Sequence, residues 1–285
     1  MVATIGRQPV AGATVEMSAV TARTDNDGRF TLTDATAPTR AFAVTVRANG
    51  YRTRETTIAY PRTTEPIIDL TAAARPFSEE FYGQIARNAY ERPETRTQLF
   101  RWSVAPRLYL KTTDETGRPA PPEVVALVTG ALDDAVRLFS AGTFTLSLEQ
   151  GTERRPEQPG WINVEIKQTI PEGDFCGYAS DIGGNPSTLQ LRLERCGCGS
   201  IKIPQSIVLH EVGHALGFFH VPDRNSVMYP FVPGECRQVM PSPAEQHHVA
   251  VAYARPRGNL DPDRDPASFA LLMPPAATVV RRPMP

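Results

Sequence analysis

The sequence predicts a multidomain protein: an all-β N-terminal module followed by an α+β domain. Three observations carry this. Residues 1–71 hold only short segments of mixed or alternating polarity set between turn residues. From residue 105 onward, strictly alternating segments interleave with stretches of helical period. Three of the five histidines then crowd into 210–220, at the end of that mixed pattern. At 285 residues the chain is long enough for two cores.

In the first module, "ATVEMSA", "GRFTLTD", "AFAVTVRA" and "PIIDL" read as strands. Asp27-Gly28 is a hairpin signal, because both residues tolerate positive φ. "TDNDG" has the start of a calcium loop but lacks its bidentate glutamate, so it reads as a turn. Between 72 and 104, Phe77, Phe81, Ile85 and Ala89 recur at helical spacing until Pro93, which predicts a helical linker or a pro-like inhibitory segment. In 105–255, "RLYLKT" is a strand, and 121–139 carries Val124, Leu127, Val128, Leu132, Val136 and Phe139 on one helical face. "TFTLSLE", "WINVEIK" and "TLQLRLE" alternate as strands, and the histidine-bearing helix follows. "SPAEQHHVAVAYA" opens with a serine cap and Pro243 and forms the last helix; 256–285 reads as a Pro-rich tail.

Composition narrows the function classes. A net charge of −1 gives no reason to expect nucleic acid or an anionic membrane as partner, and no apolar run reaches membrane-spanning length. The N-terminus has neither the basic nor the apolar region of a signal peptide. Cys176, Cys196, Cys198 and Cys236 cluster around the histidines, which fits two disulfides and an oxidising compartment. Cys196 and Cys198 are too close to bridge comfortably, so each is expected to pair with Cys176 or Cys236 in an order left open; reduced thiols and a structural zinc site on "CGC" are the competing readings. The expected location is extracellular or periplasmic, with the signal peptide outside this sequence.

The chemistry is concentrated in "HEVGHALGFFHVPDRNSVMYP", residues 210–230. His210 and His214 are four apart and share a helix face. Gly217 can end that helix in a left-handed conformation and let the chain bring back His220 as a third ligand. Three neutral nitrogens suit one Zn²⁺ with an open fourth position, the mark of a catalytic site. Glu211, beside the first ligand, is placed as the general base that takes a proton from a zinc-activated water. His247 and His248 lie outside the motif and read as a solvated helix face.

Two resemblances follow. "PVAGATVEMSAVTARTDNDGRFTL" with "FAVTVRANGY" resembles the carboxypeptidase regulatory-like domain, which implies a prealbumin-like sandwich over 1–71 acting as a non-catalytic accessory module. "HEVGHALGFFH" with "SVMYP" resembles the metzincin zinc proteases, and the eight-residue step from His220 to Met228 is most similar to their matrixin branch. That resemblance implies a twisted, mostly parallel sheet over 105–255 with an active-site helix and a C-terminal helix. It implies His210, His214 and His220 as zinc ligands, Glu211 as the catalytic base and Met228 as a hydrophobic floor. It also implies a substrate peptide paired with an edge strand placed at Thr188–Glu194, with Leu189 and Leu191 in contact, and a subsite lined by Tyr229, Phe231 and Val232.

Three matrixin or astacin features are missing: the cysteine-switch propeptide, the paired aspartates of the last helix (Ala244-Glu245 stands there) and a tyrosine two residues after the methionine, where Pro230 stands. Matrixins often bind calcium, but no ligand loop for it is evident. The expectation is a secreted zinc endopeptidase acting on protein or peptide. The alternative is a catalytically silent binding or adhesion protein that uses the zinc domain as scaffold.

Overall fold

The computed structural model describes residues 1–33, 41–59, 65–193, 195, 197–230 and 238–266. The chain divides into two compact units, one comprising 1–77 and the chain after 253, the other 78–253.

The first unit contains β1 (Val2–Thr4), β2 (Thr14–Met17), β3 (Val20–Arg23), β4 (Ala41–Arg47), β5 (Arg54–Ala59) and β6 (Ile68–Leu70). A four-stranded antiparallel sheet runs β3-β2-β4-β5, and β1 pairs in parallel with β6. Val15 lies opposite Val46, and these residues pack with Val2, Val44, Ile58 and Leu70 into one apolar core. The Asp27-Gly28 signal is a turn: the Asp25 carboxylate accepts from the Asp27 and Arg29 N–H groups, and Gly28 has φ +70°. "GRFTLTD" forms no strand over its described part, Gly28–Thr33.

Arg54 lies across from Val46 and is buried, so a charge faces the core at the end of β5. Its partner comes from the far end of the chain. Asp265 Oδ2 accepts from Arg54 Nη2 and from Thr56 Oγ1, each at 2.5 Å, and both members of the ion pair are almost fully buried. Backbone bonds join Glu55 N to Asp263 O at 2.7 Å and Asp265 N to Glu55 O at 3.0 Å. Arg255, also buried, donates to Thr71 Oγ1 and to the carbonyls of Pro262 and Asp69. Residues 256–265, read as tail from their proline and aspartate content, are therefore laid along β5. Their aspartates answer arginines that composition alone does not reveal.

The second unit contains α1 (Glu79–Arg87), β7 (Arg107–Lys111), α2 (Pro122–Phe139), β8 (Leu148–Gly151), β9 (Trp161–Lys167), β10 (Gly177–Ala179), β11 (Ser187–Arg192), α3 (Gln205–Ala215) and α4 (Pro243–Tyr253). Its sheet has the order β10-β11-β9-β7-β8, with β10 antiparallel to β11 and the other pairings parallel. Register aligns Leu110, Val164 and Leu189 across three strands, and Ile166 with Leu191 in the next row. All five side chains are fully buried. Against α3 pack α2, β10 and β11, and α3 is buried from Ser206 to Ala215. A helix enclosed on all sides is a rigid carrier for whatever side chains it presents.

Two expectations change here. "TFTLSLE" becomes a strand only from Leu148. Of residues 72–104, expected to link or to inhibit, those from 78 onward are grouped with this unit: Leu99 and Trp102 are buried, and Trp102 Nε1 donates to Ala215 O at 2.8 Å.

Candidate metal centre

His210 and His214 project from the buried helix α3, which ends at Ala215. Gly217 then takes φ +108°. A Cβ there would also lie 2.8 Å from the Phe100 carbonyl carbon, so both conformation and space require glycine. The turn returns His220 to the other two. The three Nε2 atoms form a triangle with sides of 3.1, 3.1 and 3.2 Å.

Each Nδ1 is already used. His210 Nδ1 donates to Val227 O at 2.8 Å, and His214 Nδ1 to Phe218 O at 2.8 Å. His220 Nδ1 donates to Glu91 Oε1 at 2.5 Å. Carbonyl and carboxylate oxygens only accept, so the proton of each neutral ring sits on Nδ1 and the Nε2 lone pairs all point inward. Burial pushes His214 down to about 4, which keeps it neutral at physiological pH. Three lone pairs facing one another repel unless a cation lies between them. Tetrahedral zinc, with bonds of about 2.0–2.1 Å, needs nitrogens roughly 3.3 Å apart. The observed triangle fits, and among the described residues it is the one group of three donors able to hold a metal.

Glu211 sits in the same cleft, buried, and desolvation raises its carboxyl to about 8. A cation on the neighbouring nitrogens favours the ionised form, so this carboxyl can exchange a proton near neutrality. Its position is set by Gly177 of β10: a Cβ there would come within 2.6 Å of both Cγ and Oε1 of Glu211. Gly213 plays the matching part for Met228, since a Cβ would lie 2.5 Å from the sulfur. Met228 is fully buried against the helix that carries the ligands.

The cleft has a volume of about 320 Å³ and is bounded on its apolar side by Phe175, Tyr178, Ile182, Ile207 and Pro230. Phe175 stacks on Tyr178 at 6.2 Å and remains 46% exposed.

Several expected positions are revised. β11 lies between β10 and β9, so it is not an edge. Leu189 and Leu191 are fully buried and face the core rather than a substrate. The edge beside the cleft is β10, Gly177–Ala179, and Glu194 lies outside the described residues. Tyr229 is partly buried with Arg224 over its ring; Phe231 and Val232 fall outside the described residues. His248, read as solvated, is buried: Nδ1 donates to Ala244 O and Nε2 accepts from Ser78 N–H. Cys176 and Cys198 are disulfide-bonded, and no described cysteine is free. Cys196 and Cys236 lie outside the described residues.

Two contributors escaped sequence reasoning. Glu91 is one. The other is Glu245, fully buried, which accepts from Ser226 Oγ, from Met228 N at 3.3 Å and from Ser242 N at 2.7 Å. Ser242 and Glu245 form a capping box, with Glu245 N returning to Ser242 Oγ at 3.2 Å. The S-x-x-E spacing was a usable signal for the box, though not for its reach into the methionine turn.

The matrixin peptidase family model matches residues 200–253, the stretch that holds the ligand helix, the methionine turn and α4. No curated protein matches the chain. Among solved structures, the chain is similar to metalloproteinase-II from Bacteroides fragilis at 11% identity and a TM-score of 0.37, over 86% of this chain and 92% of that one.

Proposed function

We propose that the protein is a zinc-dependent endopeptidase in which His210, His214 and His220 hold the metal and Glu211 moves the proton. One observation carries this reading: three inward Nε2 lone pairs and the buried Glu211 carboxyl open into the same cleft beside the edge strand β10. The matrixin match over the same residues supports it. Bound zinc supplies Lewis-acid polarisation of the scissile carbonyl and acidification of water. Glu211 accepts a proton on its carboxylate and delivers it to the departing amine. The edge of β10 offers backbone groups to an extended peptide, and the Phe175–Tyr178 and Ile207 side of the cleft favours an apolar substrate residue. The three Nδ1 bonds fix the ligand rings and so cut the reorganisation needed on binding.

The N-terminal unit is read as a carboxypeptidase regulatory-like accessory module. The disulfide-bonded Cys176 and Cys198 support an extracytoplasmic location, and no helix among the described residues is long and apolar enough to cross a membrane. The test is Glu211→Ala assayed on a peptide library by mass spectrometry. Hydrolysis should be lost while one equivalent of zinc is retained; undiminished cleavage overturns the assignment of Glu211.

A further inference from the structure

We infer that Glu91 is a positioning residue for the metal centre, holding His220 in the ring orientation and tautomer that zinc requires. The inference rests on the proposed zinc site but concerns a residue far from the signature, 129 positions before the ligand it serves.

His210 and His214 come from a buried helix and turn their Nδ1 protons to backbone carbonyls. His220 has neither advantage. It lies on the turn after α3, its side chain is 24% exposed, and its outer partner is the Glu91 carboxylate at 2.5 Å. Without that carboxylate, the ring could rotate or present the other tautomer to solvent. The carboxylate binds through the ring nitrogen remote from the triangle, so it acts through His220 rather than as a fourth ligand.

Glu91 is itself held for this task. Helix α1 ends at Asn88, whose φ of 56° turns the chain, and Ala89 N returns to Gly83 O at 2.9 Å. Beyond it, Thr97 N donates to Arg87 O at 3.1 Å while Arg87 Nε donates to Thr97 O at 2.6 Å, closing the loop that carries Glu91. The same helix holds the other partner. Ile85 O accepts from Phe219 N at 2.8 Å, the residue next to His220. Glu91 and His220 are thus both referenced to α1, and their pairing is a property of the folded unit. A carboxylate behind a ligating imidazole also raises the donor strength of its Nε2, which a carbonyl does less well.

The experiment uses the full chain and zinc itself as probe. Zinc affinity is measured by competition with a chromophoric chelator at fixed pH for the native protein, Glu91→Gln and Glu91→Ala, alongside the melting temperature of each metal-free protein. Glu91→Ala should weaken zinc about 10–100-fold, the usual cost of losing an outer partner, with an unchanged metal-free melting temperature. Glu91→Gln, whose amide oxygen still accepts from Nδ1, should recover part of the loss. A Glu91→Ala affinity within twofold of native overturns the inference, as does a weakening matched by a fall in metal-free stability. A native chain that binds no zinc would instead overturn the proposed function, so the two failures are distinguishable.

Discussion

Gly177→Ala offers a sharp test of how the base is placed. The added methyl would lie 2.6 Å from Cγ and Oε1 of Glu211 and 2.8 Å from its Cδ. Unstrained carbon contacts are about 3.5–4.0 Å, so roughly 1 Å must be found. The strand cannot readily supply it, because Gly177 is paired with Leu191 and Arg192 N donates to Cys176 O at 3.0 Å. The Glu211 side chain is the part able to yield. A displacement of about 1 Å in a catalytic group costs about 10²-fold in rate, or about 2.7 kcal/mol on the barrier. The expected result is a kcat near one hundredth of native on a quenched fluorescent peptide. Zinc content should stay at one equivalent, since the nearest atoms to the new methyl belong to Glu211 and not to a ligand. A kcat within threefold of native would refute the claim that this glycine sets the position of the base.

Two further outcomes follow from buried pairs. Asp265→Ala leaves the buried Arg54 guanidinium without its carboxylate, which should destabilise the first unit by about 3–5 kcal/mol. Amide exchange in β5 should then accelerate at least about 10²-fold; less than threefold would show that the segment after Arg255 contributes little. For His248, burial lowers the pKa in the folded chain, so the unfolded chain binds more protons once pH falls below about 6.5. Its contribution to stability is therefore complete above that pH and is lost as acid is added. His248→Gln should show a smaller drop in urea midpoint between pH 7.5 and 5.5 than the native protein, and an equal drop would refute the assignment.

The parts of the second unit legible in the sequence were those with a strong local period. Val124, Val128, Leu132, Val136 and Phe139 marked α2, and the alternation of "WINVEIK" marked β9, because burial on one face imposes that spacing. The edge strand β10 was missed for the converse reason. It is three residues long, each of them half-buried, and so it carries no alternation to read. Placing the edge at β11 followed from this, since nothing in the pattern of Leu189 and Leu191 distinguishes a central strand from a peripheral one. β5 was hidden too: "RETTIA" is polar, and its inward Arg54 makes sense only with Asp265, 211 residues away. Glu91 belongs to the same class. Its role depends on a contact made by folding, and a lone glutamate just after a helix, two residues before the proline that stops the pattern, gives no local sign of it.

The methionine turn shows why the signature must extend beyond the histidines. Val227 supplies the carbonyl that fixes the His210 ring, and the next residue is Met228. Met228 is held three ways: its N–H bonds to Ser226 Oγ at 2.9 Å and to Glu245, its carbonyl accepts from Val221 N at 3.1 Å, and its side chain packs where Gly213 leaves room. Glu245 in turn is locked by the capping box that starts α4. The order of dependence runs from a helix cap to a buried carboxylate, to a backbone N–H, to the adjacent carbonyl and finally to a ligand tautomer. Met228 therefore need not touch a metal to matter: its bulk and its backbone fix where Val227 O lies. The same logic applies from the opposite side through Glu91 and α1. The two outer ligands are thus oriented by elements at either end of the unit, while the middle one, His214, is oriented by the Phe218 carbonyl within its own turn. A centre built this way depends on α1 and α4 as well as on α3, in keeping with the grouping of 78–253 into one compact unit.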